Sequence, residues 1–367
     1  CNVGASFGSA QAFATGNYGS PASAYDPDND RVCTVYIDAD NSYYGTAVVG
    51  QISGSSITWG TPLLFESAYT PYPDIDYDTG TDQFVISFVD GSASNFLGVK
   101  TAAYAATNTL TFGSKVNGPE YAGATAIACS SSAFLVVYDG LYGTGIAGTI
   151  SGTTITLGTE VDYISSGSYQ ARGSSVVYDS NAGKYLIATA DGNNSYNGYG
   201  FVATVTGTSI SYGSGAVFDA DALNNTNAAY DSTAQKTVIA YQDLTNSDVK
   251  GVVATVSGTS VSFGTVVQAI DTNSLGWQLG RQITYDASSN KTYITYTRNS
   301  DGYAYILTGT VSGTDVTFSD ETAYTSASTG EVTIVTDTTN NKVGVFYKDM
   351  SSTNDGTSKV YSPAGTN

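Results

Sequence analysis

The chain has 367 residues, of which 32 are acidic, 13 basic and none histidine, giving a formal charge of −19. Without histidine there is no Ser-His-Asp triad, no His-ligated zinc and no imidazole general base, and so large an excess of acid argues against a nucleic-acid partner. Hydrophobic residues at 41% and aromatic residues at 12% exclude a disordered acidic tail and predict a packed core.

In chain order, the first element is Val3-Gly4-Ala5-Ser6-Phe7-Gly8, a strand ending in an aromatic and a glycine. The same ending returns at Thr58-Trp59-Gly60, Thr111-Phe112-Gly113, Thr156-Leu157-Gly158, Ser211-Tyr212-Gly213, Ser262-Phe263-Gly264 and Thr317-Phe318-Ser319, in steps of 45 to 55 residues. Gly54, Gly152, Gly207, Gly258 and Gly313 stand six residues before the last position of five copies. A second landmark, Tyr-Asp, occurs at 25–26, 77–78, 178–179, 230–231 and 285–286, with degenerate copies at Cys129-Ser130 and Thr336-Asp337. Two independent landmarks thus give seven units of nearly equal length.

The fourth unit shows the predicted elements most clearly. A strand over 174–178 ends at Tyr-Asp, a turn follows at Asp179-Ser180-Asn181-Ala182-Gly183, and strands follow over 184–190, 201–206 and 208–212. Short runs rich in Val, Ile, Tyr and Thr between Asp, Asn and Gly turns read as β-strands, and no helical period of useful length is present. The seventh unit, 331–361, has only three strands, while residues 1–12 supply a fourth-strand pattern with no first strand before it. The N-terminus is therefore expected to complete the last unit, leaving residues 1–367 as a single domain.

Seven units of four antiparallel strands make this chain resemble the seven-bladed β-propellers over nearly its whole length. The Gly-His and Trp-Asp dipeptides of WD40 repeats are absent, as is the S-x-D-x-G-x-x-W box of sialidases. The V-S-G-T-S-V-S-F-G style of repeat is most similar to propeller repeats of phage and virus tail or surface proteins. That resemblance, with the acidic, Tyr- and Thr-rich composition, implies an extracellular or virion-surface setting.

Asp followed five residues later by a basic residue recurs at Asp26/Arg31, Asp179/Lys184, Asp231/Lys236, Asp286/Lys291 and Asp337/Lys342, and is read as a cross-turn ion pair. Asp26, Asp28 and Asp30 have the alternate-oxygen spacing of a calcium loop without its Gly and distal Glu, so an acidic turn is the competing reading. Acids end six of the second strands, at Asp38, Asp90, Asp139, Asp191, Asp243 and Asp349, with Arg298 in the seventh such position. A repeated ring of this kind reads as turn formers, with paired glycosidase carboxylates as the alternative.

The face carrying these ends also carries the longer connections. Tyr43, Tyr44, Tyr69, Tyr72, Tyr196, Tyr199 and Trp277, with Arg172, Arg281 and Arg298, are the ligand-binding candidates, because aromatic rings stack on sugar faces and cations reach polar groups. No run of 18 apolar residues predicts a membrane helix. Cys33 and Cys129 read as buried small side chains. Cys1, opening a chain that lacks an initial Met, reads as a processed end, to be lipidated or cross-linked to a neighbour. Three N-glycosylation sequons begin at Asn193, Asn224 and Asn290.

The expectation is a non-enzymatic propeller with no resident cofactor, binding glycans, a surface receptor or neighbouring subunits of a virion or filament. The alternatives are an extracellular carbohydrate-active enzyme using Asp carboxylates and a purely structural filament or capsid subunit.

Overall fold

The computed structural model describes residues 5–106, 108–140, 142–165, 171–270, 281–319 and 321–364. Trp277 and Cys1 lie outside them.

Seven antiparallel sheets form the described chain. Their first strands are Tyr18–Asp26, Asp74–Asp78, Thr125–Cys129, Ala171–Asp179, Leu223–Asp231, Ile283–Asp286 and Thr329–Asp337, which begin blades one to seven. Each first strand packs against the next, and that of blade seven packs against that of blade one, so the ring is closed with these strands innermost. The apolar core lies between blades: Phe84, Ile86 and Phe88 of blade two, for instance, share a cluster with Cys33, Val35 and Val49 of blade one.

Blade seven is completed from the other end of the chain. Ser6–Phe7 and Gln11–Ala14 both pair with Asp355–Ser362, as the split unit in the sequence predicts. Phe13 is buried there, within 6.1 Å, centroid to centroid, of the rings of Tyr18, Tyr36, Trp59 and Phe346.

The outer strand differs from the sequence expectation. In blade four it forms two pieces, Ser209–Tyr212 and Ala216–Asp219, both paired with Asn197–Thr206. The break falls at the repeated glycine. A Cβ on Gly213 would sit 1.7 Å from the carbonyl oxygen of Thr259, in the hairpin turn of the next blade. Gly158 and Gly264 approach the following blade in the same way, so the aromatic-Gly landmark marks close passage between blades. Blade six carries Ser319 instead. Its neighbour is blade seven, whose third and outer strands come from opposite ends of the chain and leave no such turn to meet. The other repeated glycine begins that hairpin turn: Gly258 has φ +62° in a two-residue loop, as a II′ hairpin requires.

The Tyr-Asp landmark is a latch between blades. Its aspartate caps the turn that follows: Asp179 accepts from the amides of Asn181 (3.0 Å) and Ala182 (2.9 Å), and Asp231 from those of Thr233 (2.9 Å) and Ala234 (2.8 Å). Its tyrosine reaches back to the preceding blade: Tyr77 donates to Asp28 at 2.7 Å and Tyr285 to Thr233 at 2.6 Å. The expected cross-turn ion pairs are therefore corrected. Asp179 and Lys184 face each other in register, as do the other four pairs, but these carboxylates satisfy turn amides, which are fixed and closer than a flexible Lys head. Asp231→Ala is expected to cost about 1–2 kcal/mol, read from denaturant unfolding, because two turn amides lose their acceptor.

Candidate functional site: the central channel and the upper face

The face carrying the connections between second and third strands is called upper here, and the face of the Tyr-Asp turns lower. The inner strands present unpaired backbone groups to the channel, and polar side chains of neighbouring blades satisfy them. Asn227 accepts from the Gln282 amide at 3.0 Å. Thr226 donates to the Gly173 carbonyl at 2.8 Å, and Thr333 to the Arg281 carbonyl at 2.7 Å.

The largest departure from sevenfold regularity is a clasp across the channel. Arg281, at the entry to blade six, reaches to blade two, where its Nε donates to Asp74 at 2.9 Å and its Nη1 to Asp76 at 3.2 Å. A further donor meets the Ile127 carbonyl of blade three. The other oxygens of the two carboxylates accept from the Ile127 amide (2.9 Å) and the Cys129 amide (2.7 Å). Burial pushes the Asp76 carboxyl above its ordinary range, against the pull of Arg281 and the Cys129 amide.

Arg281 divides the channel. Above it lies a chamber of about 70 Å³, bordered by Tyr72, Asp74, Ser174, Thr226 and Asn227. Below it lies one of about 310 Å³, bordered by Tyr25, Asp76, Tyr77, Thr284, Tyr285 and Thr336.

The acids at the ends of second strands are mostly turn caps. The side chains of Asp38, Asp90, Asp191, Asp243 and Asp349 each accept from an amide two or three residues on. Asp139 instead reaches blade four, accepting from the Gly173 amide (2.8 Å) and the Ser174 hydroxyl (2.7 Å). Burial raises the Asp90 and Asp243 carboxyls, but Lys115 and Lys250 outweigh it and hold both below the usual range. The irregular carboxylates, Asp74 and Asp76, are both engaged by Arg281 and backbone amides. None of these groups is arranged as an unengaged acid–base pair.

Asp26, Asp28 and Asp30 do not converge. Asp26 caps its own turn through the Asp28 and Asn29 amides, Asp28 takes the Tyr77 hydroxyl, and Asp30 takes Tyr25, Gln51 and Asn340. Among the described residues, no group of three His, Cys, Asp or Glu side chains is placed to hold a metal ion.

The candidate ligand residues fall into separate groups. Tyr43 and Tyr69 are 47% and 50% exposed and meet edge to face at 5.9 Å, with Tyr44 beside them, in register with Tyr69. Tyr72, 40% exposed, stands at the mouth of the upper chamber. In blade four the Arg172 guanidinium lies 5.6 Å from the Tyr196 ring, and Tyr199 stacks on Phe201. Arg298 is held over the Tyr305 ring at 3.7 Å and paired with Asp301 (3.3 Å) and Glu321. Arg298 and Arg281 are thus both fixed by internal partners. Cys33 and Cys129 are buried free thiols, which burial pushes to higher pKa.

Sequence reasoning missed Asp74 and Asp76. Their signal is positional: where blades three and four have Ala126 and Ser175, blade two has Asp74, and the arginine entering blade six is its counterpart.

Neither a protein-family model nor a curated protein matches the sequence. Among solved structures, the chain is similar to that of Sqt1 from Saccharomyces cerevisiae, with a TM-score of 0.55 and 9% identity over 100% of both chains. At that identity the likeness shows the propeller fold alone.

Proposed function

We propose that this propeller is a non-enzymatic binding protein that holds glycans on its upper face, with Tyr43 and Tyr69 as the aromatic platform, Tyr72 beside it, and the Arg172–Tyr196 pair of blade four as a separate contact. One observation carries this reading. The turn after the second strand places two residues at positive φ, and in blade two the second is Asn95, a residue suited to that conformation. Blades one and four place Tyr43 (φ +60°) and Tyr196 (φ +63°) there instead. A tyrosine costs more than asparagine at such a backbone position, and Tyr43 is left largely in solvent. The turn itself does not require the ring, which supports a contact outside the chain on the exposed side of Tyr43.

Paired rings of fixed position suit the apolar faces of sugars. The engagement of the irregular carboxylates Asp74 and Asp76 by Arg281 and backbone amides supports binding over hydrolysis. The Tyr- and Thr-rich acidic composition supports an extracellular or virion-surface setting for it. The alternatives of a carbohydrate-active enzyme or a structural subunit have no comparable observation in their favour. Tyr43→Ala and Tyr69→Ala are each expected to weaken glycan binding about tenfold without unfolding the ring, measured by titration of the best ligand from a glycan array. An array on which nothing binds overturns the reading.

A further inference from the structure

The lower chamber is bordered by three landmark rings and by one blade, the seventh, that supplies none. At the Tyr-Asp landmark, blades one, two and six supply Tyr25, Tyr77 and Tyr285, and all three border the chamber. Blade seven supplies Thr336, whose hydroxyl lies 3.0 Å from that of Thr284 in blade six. The space a fourth tyrosine would fill is left open, and the chamber reaches about 310 Å³, the lower end of the range for small-molecule sites. The three rings present are pinned. Tyr25 donates to Asp30, Tyr77 to Asp28, and Tyr285 to Thr233 and Asn290. A ligand would therefore meet walls that need no ordering.

The charge around this chamber is negative. At its inner end Asp76 faces the cation Arg281, whose charge is shared with Asp74 on the upper side. Behind the rings, the hydroxyls of Tyr25 and Tyr77 are held by Asp30 and Asp28, with Asp82 close enough to Asp28 that the neighbouring charge raises its carboxyl pKa. Two cations of this face turn away toward the rim. Arg31 lies over the Tyr104 ring at 4.8 Å, and Lys291 bonds the Thr310 hydroxyl of a third strand. Aromatic walls in a negative field attract a cation whose own hydration is weak.

We infer that the lower chamber is a binding site for a small organic ammonium ion, seated among Tyr25, Tyr77 and Tyr285. The site is separate from the upper-face tyrosines, and its ligand is a cation where theirs is a neutral sugar. Choline is the probe, followed by saturation-transfer NMR of its methyl resonance. Saturable binding is expected that weakens with added salt, and that is at least about tenfold weaker for the neutral isostere 3,3-dimethylbutan-1-ol. Asp28→Asn keeps an acceptor for Tyr77 while removing a charge, and should weaken binding severalfold.

Thr336→Tyr is the decisive variant. It restores the residue found at this position in five other blades, so it is expected to fold with an unchanged or raised melting temperature, and it fills the chamber. Choline affinity should fall at least about tenfold. No saturable choline binding to the wild-type chain, equal binding of the neutral isostere, or undiminished binding by folded Thr336→Tyr each overturns the inference.

Discussion

Arg281→Met is expected to destabilise the propeller by about 3 kcal/mol. Breaking a buried ion pair by removing one partner costs roughly 3–5 kcal/mol, because the surviving charge is left uncompensated. The guanidinium keeps 28% of its exposure and the Asp76 carboxylate 25%, so the lower part of that range applies. The sign of the pH dependence follows from Asp76. Burial already raises its folded pKa, and loss of Arg281 raises it further. A carboxyl with a raised folded pKa favours folding while protonated and opposes it as pH rises through that pKa. The deficit of the variant should therefore be full at pH 7 and shrink as pH falls below the folded pKa of Asp76 toward the ordinary carboxylate value. Chemical denaturation at several pH values measures it. Asp76→Asn in the same background should recover part of the loss at neutral pH. A deficit independent of pH would show that Arg281 contributes packing alone.

Removing residues 5–14 should cost still more, because it strips the outer strand from blade seven and takes Phe13 from its aromatic cluster. Phe13→Ala alone is expected to cost about 3–4 kcal/mol, or about 5 °C or more in melting temperature. The deletion also leaves the edge of Asp355–Ser362 without a partner, and open edges recruit other chains. A lower melting temperature together with oligomers on size-exclusion chromatography is the expected result. A monomer that melts like the intact chain would show that closure by the N-terminal strands contributes little.

Much of this architecture is legible in the residues because each blade repeats the same local solution. Tyr-Asp and aromatic-Gly recur at fixed spacing since every blade must cap the same turn and pass the same neighbour. Counting them gives the number of blades, and the three-strand unit at 331–361 points to the N-terminal strands as its completion. The second half of each outer strand was less legible. A segment such as Ala216–Asp219 is four residues long and lies beyond a glycine that reads as a stop. It pairs only because the third strand continues past the hairpin and leaves donors for it.

The candidate site was legible in part. Tyr43, Tyr69 and Tyr72 are exposed on connections of one face, as their places in the repeat imply. Arg281 and Arg298 read in the sequence as available cations, and each is held by internal partners. Asp74 lies 207 positions from Arg281, and no local pattern relates the two. The sequence by itself determined the repeat, the strand chemistry and the closing element, since these follow from short-range turns and alternation. Only the tertiary structure decided which charges meet across the channel and where a missing ring leaves space, because closing the ring brings distant blades within the few ångströms over which such contacts act.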